Sequence, residues 1–167
     1  MSRIKKLEAP QVVRNEKGIA ILTEEYILKA CEFEGFYTIP KYNNTLYLHF
    51  KGFMKIENLD NFVNVKVLYL ESNNICKIEN LSHLKQLSLL YLQDNHIQKI
   101  ENLEQNTELS VLKLSGNRIE VIENLECLTK LHNFHIDKNI IHSYKNILKL
   151  KECPSIAVVK INFNILS

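Results

Sequence analysis

The chain has 167 residues, of which 46% are apolar, and its formal net charge is +2. That length predicts one domain, and so small a charge excludes a general electrostatic attraction to nucleic acid. No apolar run approaches the ~20 residues of a membrane span, and residues 1–30 lack a signal-peptide core, so we expect a cytoplasmic protein with no membrane partner.

The first predicted element is a helix near the N-terminus. Residues 1–18 are expected to form a flexible tail and residues 19–42 a helical cap. Thr23 suits the N-cap of the helix, and Gly35 suits its end. Its apolar side is predicted from Ile27, Leu28, Cys31 and Phe33. We expect this helix to close the N-terminal end of the repeats that follow.

A 22-residue repeat dominates the rest of the chain. The tetrapeptide Ile-Glu-Asn-Leu occurs at residues 56–59, 78–81, 100–103 and 122–125, and residues 43–167 contain about six units. A fixed period in the twenties, carried by leucine and asparagine, is typical of a leucine-rich-repeat solenoid. We therefore predict an α/β solenoid with a curved parallel sheet on the concave face and short helical turns on the convex face. Because the sixth unit stops at Ser167, we expect a truncated array with an open edge strand.

Each Leu-x-Leu centre predicts a short strand whose leucines point inward. The asparagine that follows each strand lies where the chain turns, and its amide can bond the backbone of that turn. We therefore predict that the repeat asparagines form a buried ladder made of Asn73, Asn95 and Asn117.

Residues that flank the inward leucines should form rows on the concave face. The first row is Tyr47, Tyr69, Tyr91, Lys113, His135 and Lys160; the second is Thr45, Val67, Leu89, Val111, Asn133 and Val158. The third row is His49, Glu71, Gln93, Ser115, Asp137 and Asn162. Exposed aromatic and apolar patches mark interaction sites, although cross-strand tyrosines can also serve only to stabilise a sheet. The predicted partner-binding residues are Tyr47, Tyr69, Tyr91, Val67, Leu89, Val111, Lys113 and His135.

Residues that could carry chemistry show no recognisable arrangement. The four cysteines include no Cys-x-x-Cys pair, so neither a disulfide framework nor a zinc site is indicated. His132 and His135 fall on opposite faces of a predicted strand, which argues against a shared metal ion. No nucleophile stands beside a base in a known pattern. We therefore predict a non-catalytic protein with no metal, no cofactor and no small-molecule substrate.

The Ile-Glu-Asn-Leu repeat resembles the 22-residue class typified by the leucine-rich-repeat regulatory subunit of protein phosphatase 1. Residues 46–59, Leu-Tyr-Leu-His-Phe-Lys-Gly-Phe-Met-Lys-Ile-Glu-Asn-Leu, are more specific: they resemble the junction of cap and first repeat in leucine-rich-repeat dynein axonemal assembly factors. Three further segments resemble these assembly factors: the preceding helix, residues 36–40 and the stretch around residues 150–153.

The resemblance implies a scaffold for the preassembly of axonemal dynein arms in the cytoplasm, with a cilium or flagellum as the second expected location. Its implied partners are dynein chains, co-chaperones or other assembly factors. The alternative is a regulatory subunit of protein phosphatase 1 or another cytoskeletal leucine-rich-repeat adaptor.

Overall fold

The computed structural model describes residues 8–143, 145–153 and 155–161. Its helices are α1 (Glu24–Phe33) and α2 (Lys145–Leu148), with 3₁₀ segments at Pro40–Tyr42 and Lys149–Glu152. The strands are β1 (Val13–Arg14), β2 (Ala20–Ile21), β3 (Thr45–Tyr47), β4 (Val67–Tyr69), β5 (Leu89–Tyr91), β6 (Val111–Lys113), β7 (Asn133–His135) and β8 (Val158–Lys160).

Helix α1 begins and ends at the predicted residues. The Tyr26 backbone N–H donates to Thr23 Oγ1 over 3.1 Å, which satisfies one of the open donors at the helix start. Gly35 takes a positive φ of 79°, and the Phe36 N–H then donates back to the Cys31 carbonyl over 2.7 Å. A left-handed residue at this position is the usual way to end a helix, and it turns Phe36 toward the sheet.

The buried side of α1 differs in part from the prediction. Ile27 and Cys31 are buried as expected, and Tyr26 and Ala30 join them. Leu28 is only partly buried, and the prediction for Phe33 is wrong, because this side chain is 43% exposed. Phe33 follows the buried Cys31 by two positions, so at about 100° per residue it points away from the buried face of α1.

A short antiparallel ribbon precedes the helix. Val13 pairs with Ile21 and Arg14 with Ala20, and Ala20 also forms a parallel bridge to Phe53 of the first repeat. The prediction of a flexible tail over residues 1–18 is therefore wrong for Val13–Arg14, which this pairing holds in place. Residues 1–7 of that tail lie outside the described residues.

The six strands β3 to β8 form one parallel sheet in chain order, as predicted for the solenoid. Residues one period apart are paired from β3 to β7, and the longer fifth unit keeps the same register against β8. The central residue of each strand points into a continuous apolar core, where Leu46, Leu68, Leu90, Leu112 and Phe134 are at most 1% exposed. The equivalent residue of β8, Val159, is 37% exposed.

The predicted asparagine ladder is present. Asn95 Oδ1 accepts from the Ile75 N–H over 3.0 Å, while its Nδ2 donates to the carbonyls of Leu70 and Leu92 over 3.0 and 3.1 Å. Asn73 and Asn117 repeat this arrangement, and Asn139 extends it by one repeat. Each amide therefore fastens its own turn to the preceding repeat.

A second asparagine ladder runs along the Ile-Glu-Asn-Leu segments. Their asparagines adopt φ near 60° and donate from Nδ2 to a carbonyl of the preceding unit, always over 2.7 Å; they are Asn58, Asn80, Asn102 and Asn124. Asparagine tolerates this left-handed backbone better than most residues do. The convex side that follows consists of single turns with 3₁₀-type bonds, such as the Phe62 N–H to the Leu59 carbonyl over 2.9 Å.

Candidate partner-binding face

The concave face contains the predicted rows in register. Tyr47, Tyr69 and Tyr91 are direct neighbours across β3, β4 and β5, and Lys113, His135 and Lys160 continue their row across β6, β7 and β8. The second row runs in parallel from Thr45 to Val158. The third row lies two residues beyond the first row along each strand. Its last predicted member, Asn162, lies outside the described residues.

The three tyrosines stack face to face. The ring centroids of Tyr47 and Tyr69 are 4.8 Å apart with an interplanar angle of 16°, and those of Tyr69 and Tyr91 are 4.5 Å apart at 8°. These separations match the ~4.8 Å spacing of adjacent strands, so the backbone register fixes the ring spacing. Because the rings cover one another's faces, each tyrosine is half-buried rather than fully exposed.

Two further side chains cap this stack. Phe36 follows the Gly35 turn at the end of α1 and stacks on Tyr47, with ring centroids 6.0 Å apart and an interplanar angle of 16°. At the other end, Lys113 Nζ lies 5.0 Å from the centre of the Tyr91 ring, close enough for a cation–π contact. We call Phe36, the three tyrosines and Lys113 the aromatic stack. Its ring faces pack against one another, which leaves the ring edges and hydroxyl groups toward the concave surface.

An apolar strip lies beside the aromatic stack. Val67, Leu89 and Val111 are neighbours across β4, β5 and β6, and all three are half-buried on the side of the sheet away from the core. Apolar area left outside the core in such a contiguous form is typical of protein-interaction surfaces.

Two aromatic side chains on the other flank were not among the predicted binding residues. The His49 ring lies edge-on to Tyr47, with centroids 6.0 Å apart at 86°. Phe50 touches His49 edge-on at 5.5 Å and is 70% exposed, with a positive φ of 55°. Phe50 occupies the position that follows the third-row residue, where other repeats carry Ser72 or Asp94 at similar φ. The sequence could have indicated Phe50, because an aromatic residue stands there at a turn position that is polar in other repeats.

The C-terminal half of the face is polar and internally paired. The Ser115 hydroxyl donates to Asp137 Oδ1, and Lys160 Nζ lies 3.6 Å from Asp137 Oδ2. Burial alone would raise the pKa of Asp137, but the hydrogen bond from Ser115 and the charge of Lys160 outweigh it and lower the pKa. The carboxylate therefore stays ionised and offsets part of the positive charge of this half.

His135 lies between two cations on this row. Its pKa is lowered from the usual 6.5 by burial and by the charges of Lys113 and Lys160, against the opposing effect of Asp137. The unfolded chain therefore binds more protons than the folded chain between the lowered pKa and 6.5. By linkage, the contribution of His135 to stability is complete above pH 6.5 and is lost as the pH falls.

We expect Lys113→Met to raise the pKa of His135 toward 6.5, because one repelling charge is removed. The same variant should lessen the loss of stability on acidification from neutral pH. An NMR titration of the His135 ring protons measures the first effect, and urea unfolding at several pH values measures the second. Lys99→Met, an exposed lysine outside the strands, is the charge-matched control. A His135 that titrates at or above 6.5 in the unaltered chain would contradict this assignment.

Within residues 8–143, 145–153 and 155–161, no group of three or more His, Cys, Asp or Glu side chains is arranged to hold a metal ion. Burial raises the pKa of the Cys31 thiol to about 11, so this thiol is protonated at neutral pH and a poor nucleophile. Among these residues no helix has the length and apolar character of a membrane span.

Solved structures of similar shape define the fold. Internalin C2 from Listeria monocytogenes superposes with a TM-score of 0.66 at 23% identity, covering 81% of this chain and 56% of its own. A chain of the Drosophila melanogaster SNF/U2A' complex gives a TM-score of 0.62 at 25% identity and covers 78% of this chain and 79% of its own. The fold is a leucine-rich-repeat solenoid.

Similar curated sequences match a shorter segment. Dynein axonemal assembly factor 1 from Peromyscus polionotus is 42% identical over 55 residues, which are 33% of this chain and 9% of that protein. Leucine-rich repeat-containing protein ODA7 from Chlamydomonas reinhardtii is 41% identical over 49 residues, 29% of this chain and 11% of that protein. The matched region thus spans about a tenth of each relative's length. No family model matches the chain.

Proposed function

We propose that this chain is a non-catalytic scaffold that binds a protein partner through its concave face during the assembly of axonemal dynein. The aromatic stack carries the binding part of the proposal. A sheet needs only occasional cross-strand aromatic pairs, whereas here three tyrosines stand in register beside an apolar strip. Tyrosine is enriched among the residues that dominate binding energy at protein interfaces.

The dynein part of the proposal rests on the partial sequence matches. Two of the similar proteins, from a rodent and a green alga, bear names that refer to axonemal dynein assembly or to a leucine-rich repeat. We place the activity in the cytoplasm of a cell that builds motile cilia or flagella, before the arms reach the axoneme. The expected partners are dynein chains, co-chaperones or other assembly factors.

The test is capture of dynein by the purified chain from an extract of ciliated cells. We expect the double variant Tyr69→Ala/Tyr91→Ala to capture at least about tenfold less axonemal dynein chain, because interface hot spots contribute roughly 2 kcal/mol or more each. The stability cost should be smaller, about 0.2–1 kcal/mol for each cross-strand pair removed. Immunoblots against dynein chains measure capture, and circular dichroism checks folding.

Tyr37→Ala/Tyr42→Ala is the matched control. These tyrosines are 61% and 55% exposed and contact each other edge-on, with centroids 5.8 Å apart, outside the aromatic stack. The control should capture as much dynein as the unaltered chain. A folded stack variant that retains full capture would refute the assignment of the binding face. Capture of the phosphatase 1 catalytic subunit in place of dynein would favour the alternative function.

A further inference from the structure

Polar atoms without a hydrogen-bond partner lie in the third row, on the N-terminal half of the concave face. Glu71 Oε2 and Gln93 Oε1 are each shielded from water and have no hydrogen-bond partner among the described residues, and neither does His49 Nδ1. Polar atoms in such positions normally have a partner, so each exception requires an explanation. In the same row, Ser115 and Asp137 bond each other.

Glu71 and Gln93 are neighbours because the strand pairing continues past the ends of β4 and β5. The Leu70 N–H donates to the Tyr91 carbonyl over 2.9 Å, and the Ser72 N–H donates to the Gln93 carbonyl over 2.9 Å. The two side chains therefore leave adjacent strands roughly 4.8 Å apart, next to the edges of Tyr69 and Tyr91. Both side chains are half-buried rather than enclosed in the core.

The charge of Glu71 is unpaired at this site. None of the three ion pairs found among the described residues includes it. Lys113, the first cation along the neighbouring row, lies two strands away from Glu71, roughly 10 Å by the strand spacing. The N-terminal half of the face thus has an unpaired carboxylate, whereas in the C-terminal half the carboxylate of Asp137 is paired with Lys160.

We propose that Glu71 and Gln93 form a subsite for an arginine side chain of the protein partner. A carboxylate and an amide oxygen can only accept, so the missing partner is a donor. A guanidinium carries five donors in one plane and can bond acceptors on two adjacent strands at once, which the compact lysine ammonium does less well. The terminal torsions of Glu and Gln are broad, so both oxygens can turn toward an arriving donor. The inference rests on the proposed use of the concave face for partner binding.

The test uses NMR on the full 167-residue chain with N-acetyl-arginine-methylamide as the probe. The arginine probe should shift the backbone amides of residues 69–71 and 91–93 and the side-chain amide of Gln93. The neutral isostere N-acetyl-citrulline-methylamide should not. Glu71→Gln should weaken binding of the arginine probe by about tenfold, because it replaces a charge-assisted bond with a neutral one. Glu126→Gln, at an exposed position outside the strands, removes the same charge and should leave binding unchanged.

Gln93→Glu is a variant that should have the opposite effect on binding of the arginine probe. A second carboxylate beside Glu71 should tighten binding of the arginine probe several-fold. Equal shifts with citrulline, unaltered binding by a folded Glu71→Gln chain, or no shift at these residues would each overturn the subsite. Because only the purified chain and a small probe are used, such a failure is distinguishable from a failure to capture dynein.

Discussion

Replacement of Asn95 by alanine is expected to lower the free energy of unfolding by about 1–3 kcal/mol. The side chain is buried and serves the Ile75 N–H and the carbonyls of Leu70 and Leu92. Alanine leaves the Ile75 N–H without a partner in a place that water does not reach, which costs about 1–3 kcal/mol. The carbonyls of Leu70 and Leu92 each lose one bond but keep another, from Asn73 and Asn117. Urea unfolding followed by circular dichroism measures the change.

Asn74→Ala is the control for this experiment. Asn74 is exposed, and its side-chain amide donates a long hydrogen bond of 3.3 Å to the Gly52 carbonyl. Its loss should change the free energy of unfolding by roughly 0.5 kcal/mol or less, as for most surface substitutions. If Asn95→Ala and Asn74→Ala proved equally stable, the ladder would not be an important part of the fold.

Truncation of Leu90 to alanine should cost about 2–5 kcal/mol, as for other fully buried leucines. Leu90 is the central residue of β5 and is 0% exposed, with the rest of the apolar core behind it. The deleted atoms leave a cavity that the flanking repeats cannot fill, because their backbones are fixed by the strand pairing and by both asparagine ladders. Equilibrium unfolding in urea again provides the measurement.

Val159→Ala tests the equivalent central position of β8, where the side chain is less buried than Leu90. Val159 is the register equivalent of Phe134 on β8, yet 37% of it is exposed. Its truncation should cost about 1 kcal/mol or less, since a partly exposed side chain loses less transfer energy and leaves no enclosed cavity. A cost at Val159 as large as that at Leu90 would show that β8 is as well packed as the centre of the sheet.

The sequence predicted the solenoid and the membership of its rows, because two strict periodicities coincide. The 22-residue repeat fixes which residues are neighbours across strands, and the alternation within a strand fixes which side they take. The sequence alone therefore predicts that Tyr69 and Tyr91 are neighbours, and the sheet pairs them directly. The buried asparagines followed from the same register together with the need to satisfy a turn. Strand register does not determine whether the concave face binds a partner, so that role stays a prediction.

Most of the features that the sequence did not predict have no periodicity. Phe36 reaches the aromatic stack only through the left-handed turn at Gly35, and no repeat spacing relates it to Tyr47. The ribbon of Val13–Arg14 and Ala20–Ile21 has strands of two residues, too short for an alternation to be seen. Asn80 and its equivalents did carry a periodic signal, but the hydrogen bonds of this second ladder depend on a backbone conformation that spacing alone does not reveal.

The strand register allows the sheet of this protein to be widened only in whole repeats. Duplication of residues 67–88 would supply one more set of five buried leucines, one more buried asparagine and one more tyrosine, each in phase with its neighbours. The aromatic stack would then grow by one ring, whereas an insertion of one residue inside a strand would turn every later side chain of that strand to the opposite face. A lineage that copies such units could therefore lengthen its recognition surface in steps of about 4.8 Å without designing a new core.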